Sequence, residues 1–328
     1  MMSTDDALIE RVLTQADPAR TPRDAKPDAA AEWTRDRIIR TAAKPRPRRR
    51  RALGWASGVV MAAAAAVVAV AVLVPQGAAV AGSPAPLDFS GGESTAETLD
   101  TARSTLSATP GPAEPERIVR SATWGLDING STGATKVVPQ LTTLRWESDL
   151  SGRMVSVRGV PYDPTDASAN IGAEISSSGE VTVDLSIEPG QFATPVADVF
   201  GDSREEVSAV LTAFGMPTDP TGSEVVAAAT AMLEYWTLTN AQESQVLDVL
   251  ADADGVEALG TTTDRLGRQV AGLRVITSDG AASDVVLLSL DTGRIVGVER
   301  TNLIANDLIA GGAIISYTMW DVDEELVR

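Results

Sequence analysis

The chain has no cysteine and no histidine in 328 residues. Without cysteine there is no disulfide, no thiolate nucleophile and no acylated lipoprotein anchor. Without histidine there is no Ser-His-Asp triad, and without both there is no Cys/His zinc site. Lysine is nearly missing as well, three residues against 24 arginines. Aromatic residues make up only 4%, so any core must be built on Ala, Val and Leu around a few large rings. Other chemistry-bearing patterns are also missing. No GxSxG, P-loop or GxGxxG stands at a strand–helix junction. Asp252-x-Asp254-Gly255 hints at a calcium loop, but the twelfth position, where an EF-hand needs Glu, is Thr263, and the tripeptide reads better as a helix-ending turn. Thirty-seven acidic residues after position 74 make chance carboxylate pairs certain, so pairs carry no information about glycoside chemistry. The expectation is a non-enzyme with no cofactor, metal or catalytic residue.

What the chain does have is one long uncharged run. Ala52–Val74 is 23 residues, nine of them Ala and seven Val. As a helix it would span roughly 34 Å, enough for a hydrocarbon core of about 30 Å. Lys44, Arg46 and Arg48 to Arg51 precede it, and no basic residue follows until Arg103. Positive charge stays inside, so residues 1–51 are expected in the cytoplasm and 75–328 outside the cell membrane of a single-pass protein. Ala79-Val80-Ala81 fits a small-x-small cleavage pattern, but the 51 preceding residues and the length of the run favour a retained anchor. Charge divides at the same place: residues 1–51 carry 13 basic and 8 acidic groups, and 75–328 carry 14 and 37. So acidic an outer part excludes nucleic acid as a partner.

Residues 1–51 hold two short helical patterns, Leu8/Ile9/Val12/Leu13 and Trp33/Ile38/Ile39, the second stopped by Pro45 and Pro47. They read as a tail, and residues 1–43 could offer a helix to a cytosolic protein. Residues 75–117, rich in Pro, Gly, Ser, Thr and Ala, read as a linker interrupted by a short helix capped at Ser94 or Thr95. From Ile118 the period becomes two, with Ala122, Trp124, Leu126 and Ile128 alternating with polar residues before an Asn129-Gly130 turn. Further strands are expected around Leu144–Trp146, Val155–Val157 and Val181–Ile187. Three helices follow: one capped by Asp202 with Glu205, one over about 223–238, and one from Asn240 with Glu243 as its box partner. Strands return at 268–276, 284–290, 294–301 and around Ile315–Met319. Strands, three helices, strands is an α+β order: one antiparallel sheet with a three-helix insert on one face, in an exported domain over 118–328.

The helical block, then Leu250-Ala251-Asp252-Ala253-Asp254-Gly255-Val256, Thr263-Asp264-Arg265-Leu266-Gly267-Arg268 and Leu290-Asp291-Thr292-Gly293-Arg294-Ile295-Val296-Gly297-Val298-Glu299-Arg300, together resemble an uncharacterised family of single-pass actinobacterial membrane proteins. The exported domain also resembles, at fold level, the curved half-barrel sheets of lipoprotein carriers and of periplasmic regulators of anti-sigma factors. That resemblance implies helices over a concave face and an apolar cavity beneath them. Trp124, Trp146, Trp236 and Tyr317 are the expected lining. It implies an apolar or envelope ligand, or an envelope protein, outside; the alternative is a transmembrane regulator whose tail binds a transcription regulator such as a sigma factor. The zinc site of zinc-binding anti-sigma proteins is not carried over, because its His and Cys are absent.

Overall fold

The computed structural model describes residues 82–126, 136–306 and 309–327. The tail, the Ala52–Val74 run and the Asn129-Gly130 turn lie outside the described residues. Among the described residues no helix is long and apolar enough to cross a membrane.

The described part is α+β, built on a nine-stranded, wholly antiparallel sheet in the order β4-β3-β2-β1-β9-β8-β7-β6-β5. Two meanders make it. The first is β1 (Ile118–Gly125), β2 (Gln140–Trp146), β3 (Gly152–Gly159) and β4 (Ser177–Ile187). The second is β5 (Val256–Thr263), β6 (Gln269–Ile276), β7 (Ala282–Ser289), β8 (Ile295–Asn302) and β9 (Ile314–Trp320). They are joined where the first strand of one lies against the last of the other, with Trp124 opposite Tyr317 and Ser121 opposite Trp320. A helix α1 (Thr95–Ala108) precedes the sheet, a single turn α2 (Ala167–Asn170) follows β3, and α3 (Arg204–Ala213), α4 (Gly222–Leu233) and α5 (Asn240–Ala251) separate the meanders.

The three-helix insert forms for local reasons, with caps displaced from those expected. α3 begins after Ser203, whose hydroxyl accepts from the Glu206 N–H while Glu206 reaches back, so the box is Ser203/Glu206 and not Asp202/Glu205. α5 is boxed by Thr239 and Gln242, which frees Glu243 for the interior. α4 stops at Leu233, five residues before the expected end. Thr237 exchanges both backbone hydrogen bonds with Glu116, and this pairing draws the chain out of the helix. β5 has no counterpart in the expected strands, because Gly260 bulges it (φ +93°) and a run of threonines hides its alternation.

From residue 82 onward, the segment assigned to a linker is part of the folded body. Leu99, Ala102 and Leu106 of α1 are buried, and the helix lies along α5. Gly293 allows this approach: its φ is +75°, and a Cβ there would run into the Ala102 carbonyl and Leu106. Upstream, residues 82–92 cross the sheet as a strap. Phe89 lies where a Cβ on Gly272 would be, and Ser90 pairs with Thr261 through both backbone bonds.

Two cores result, because side chains alternate between faces. On one face Ala122, Trp124, Leu141, Val270, Leu287, Tyr317 and Met319 pack under the strap and under Val322 and Val327 near the C-terminus. On the other, Val119, Leu144 and Trp146 share their side with the insert, which covers β6 and β7 through α4. Each fully buried Leu or Val contributes about 1.5–3 kcal/mol.

Candidate functional site

The four aromatics nominated from the sequence do not line one space. Trp124 and Tyr317 stack with ring centres 5.8 Å apart on the strap side. Trp146 lies on the opposite face, since Leu141, not Leu144, is opposite Ala122, and it meets Trp236 edge-on at 4.8 Å. Strand periodicity explains the division: Trp124 and Trp146 stand at positions of opposite phase in paired strands.

On the insert side the rings form a cluster. Phe192 stacks on Trp146, Phe200 meets Trp236 edge-on, and Arg117 lies 4.9 and 5.1 Å from the Trp146 and Trp236 ring centres. The Trp146 indole donates to the Tyr235 carbonyl at 2.8 Å. This cluster is filled core. On the strap side, Arg265 and Glu299 form a buried pair, with Nε–Oε1 2.6 Å and Nη2–Oε2 3.2 Å. Arg265 also donates to the Ala85 carbonyl of the strap and sits 5.0 Å from the Tyr317 ring centre. Burial raises the pKa of both Tyr162 and Tyr317, so neither phenol serves as an ionised group.

The space with features of a site lies between the insert and the sheet. Val225, Ala229 and Leu233 of α4 and Val246 and Leu250 of α5 face Val286, Val298 and Trp320 across a crevice lined almost wholly by apolar atoms. The crevice is tight, with free room for about one water molecule. Leu233, Ile295 and Trp320 are shared with a second crevice of similar room, lined by Arg120, Trp236, Thr237, Glu243, Arg294 and Asp321. The two are neighbours, the first apolar along α4 and the second polar beside Arg294.

The polar crevice is built by three elements. α5 carries Glu243 inward, the turn before β8 supplies Arg294, and Asp321 follows β9 with φ +53°, a conformation Asp tolerates better than most residues. Arg294 Nη2 is 2.6 Å from Glu243 Oε1 and Arg294 Nε donates to Asp321 Oδ2 at 2.9 Å. The second Glu243 oxygen accepts the Ile295 N–H at 2.8 Å. Burial pushes the Glu243 carboxyl up to about 8, against the pull of Arg294.

Trp236 alone of the four nominated aromatics reaches these crevices, and Trp320 lines both of them. The sequence pattern gives Glu243 to a helix cap, whereas the structure carries it into the interior. One signal was present: Glu243, Val246, Leu247 and Leu250 fall at i, i+3, i+4 and i+7, which puts a carboxylate on the apolar stripe.

No protein-family model matches the chain, and no curated protein matches it. Among solved structures it is aligned with the dehydratase domain from the CurK module of curacin polyketide synthase, at 10% identity over 68% of this chain and 82% of that one. The TM-score of that alignment is 0.11, so it carries no argument about fold or activity.

Proposed function

We propose that the chain is a single-pass cell-membrane protein, anchored by Ala52–Val74, whose extracytoplasmic domain is a non-enzymatic binding or sensing module for an apolar or envelope ligand. The observation that carries this reading is the pair of neighbouring crevices between the insert and the sheet, one apolar under α4 and one polar beside Arg294. The sheet is open, with β4 and β5 at its two ends, and does not curl into the expected half-barrel, so the ligand space in this reading is the region under the insert. The ligand enters by displacing α4, whose Val and Ala side chains face the sheet.

Trp320 reports on this directly. In full-length protein carrying Trp33→Phe and Trp55→Phe, lipids with brominated acyl chains should quench indole fluorescence, and Trp320→Phe should remove most of that quenching. Fluorescence indifferent to the brominated lipids would overturn the reading.

The tightness of the crevice favours a second reading, in which the domain is a rigid outer module and the tail does the work. Residues 1–43 then bind a cytosolic protein, a transcription regulator such as a sigma factor. A cell-lysate capture on the isolated tail tests it, and a tail that retains no protein above a scrambled control counts against it.

A further inference from the structure

The two ends of the sheet are finished differently. At β5 the chain itself occupies the edge. Ser90 of the strap exchanges both backbone hydrogen bonds with Thr261, and the Thr95 hydroxyl donates to the Val256 carbonyl and accepts the Ala258 N–H. At β4 the edge is open: among the described residues no backbone group pairs with its outer side. Such an edge is a row of donors and acceptors ready for another strand. The first half of β4 is blunted, because its register with β3 slips on both sides of Val157. The second half is regular. Val183, Leu185 and Ile187 stand opposite Ser156, Met154 and Gly152 and are half-buried, while Asp184 and Ser186 between them are exposed on the other face. Neither Lys nor Pro, two common guards of an edge, stands within 183–187. The one charge there, Asp184, is matched within the chain by Arg153 through two bonds of 2.8 Å.

We infer that β4 pairs antiparallel with β4 of a second copy of this chain, about a two-fold axis through Leu185. The side-chain pattern selects both the occupant and the register. This axis sets Leu185 opposite its own copy, Val183 opposite Ile187 and Asp184 opposite Ser186. Apolar side chains then meet apolar ones on one face, and no carboxylate meets a carboxylate on the other. The adjacent registers fail on charge. An axis through Asp184 brings the two Asp184 carboxylates together, and one through Ser186 sets Asp184 against Glu188. An axis through Val183 runs into the irregular half of the strand. The segment is thus complementary to itself in one register, as an isologous interface requires. The inference stands independently of any ligand between the insert and the sheet.

The absence of cysteine makes the register directly measurable, since an introduced thiol is the only one in the chain. Full-length protein in membranes of expressing cells is oxidised with copper phenanthroline in four variants: Leu185→Cys, Val183→Cys, Ile187→Cys and, as a collisional control on an exposed residue elsewhere, Ile276→Cys. Residues directly opposite each other across an antiparallel pair lie about 4.5–5.5 Å apart at Cα, within disulfide reach. Residue 183 would lie about 13 Å from its own copy, beyond that reach. Leu185→Cys should yield disulfide-linked dimer about tenfold above Ile276→Cys, because paired strands hold the thiols at a far higher effective concentration than collision does. Val183→Cys and Ile187→Cys should each give only the control level alone and should cross-link to each other when co-expressed. Adding Ser186→Asp to Leu185→Cys places a carboxylate opposite each Asp184 and should lower the dimer yield about fivefold. Adding Ser186→Asn should leave it unchanged. The inference is overturned if Leu185→Cys links no better than Ile276→Cys, if self-linking is strongest at 183 or 187, or if Ser186→Asp has no effect. A disulfide from Leu185→Cys to a different polypeptide, in place of the dimer, overturns it in favour of another protein's strand on the same edge.

Discussion

Replacing Glu299 with Ala leaves the Arg265 guanidinium, 4% exposed, without its counter-charge under the strap. The pair supplies two charge-assisted hydrogen bonds, at 2.6 and 3.2 Å. What remains for Arg265 is one carbonyl, that of Ala85, and the face of Tyr317. Breaking a buried pair by removing one partner costs about 3–5 kcal/mol, because the survivor's desolvation is no longer offset. For a domain of this size each kcal/mol shifts the melting temperature by about 2–4 °C, so a fall of roughly 6–20 °C is expected. Thermal unfolding of the full chain in detergent, followed by near-ultraviolet circular dichroism, reads it. The companion Arg265→Met/Glu299→Leu should lie within about 2 kcal/mol of wild type, since an apolar pair of similar volume replaces the ion pair at little net cost. Arg153→Ala supplies the contrast. Its partner Asp184 is exposed on the outer edge of the sheet, so no measurable change is expected. If Glu299→Ala melts within 2 °C of wild type, the strap does not seal the pair from water and the two-core description fails.

Three further outcomes follow from other parts of the molecule. Leu99→Ala should cost about 2–5 kcal/mol in urea unfolding, because Leu99 is 1% exposed, whereas a residue in a free linker would cost nothing measurable. Ser203→Ala should cost about 1 kcal/mol by loss of the α3 box, while Asp202→Ala should not. Glu243 binds its proton more tightly folded than unfolded, its carboxyl standing at about 8 against an ordinary 4.5. Its contribution to stability is therefore complete below about pH 4.5 and is lost as pH rises toward 8. The melting temperature of Glu243→Gln relative to wild type should climb across that window, and a difference that stays flat refutes the assignment.

The sequence made the sheet legible wherever a strand has one packed face. β1, β2, β3, β6, β7, β8 and β9 fall within a few residues of their expected positions, and α5 buries the Val246, Leu247, Val249 and Leu250 stripe as expected. It was less legible where pairing partners decide. The even alternation of Val181, Val183, Leu185 and Ile187 suggested the best-packed strand, yet β4 is an edge. A register shift after Ser156 leaves Val181 56% exposed and the others half-buried. β5 was hidden by its glycine bulge, and the early end of α4 depends on a partner, Glu116, more than a hundred residues upstream. The site failed for a similar reason. Periodicity shows which residues share a face of one strand, but which strands become neighbours sets what those faces meet. Trp124 found Tyr317 and Trp146 found Trp236, while Glu243, Arg294 and Asp321 converged from three elements none of which signals a site alone.

Native mass spectrometry of the full-length protein, extracted from membranes in a mild detergent and stripped of it in the gas phase, tests the binding claim most directly. The account predicts a discrete added mass that disappears after organic extraction and reappears in the extract as an apolar molecule. A bare polypeptide mass under conditions that preserve the fold would contradict it.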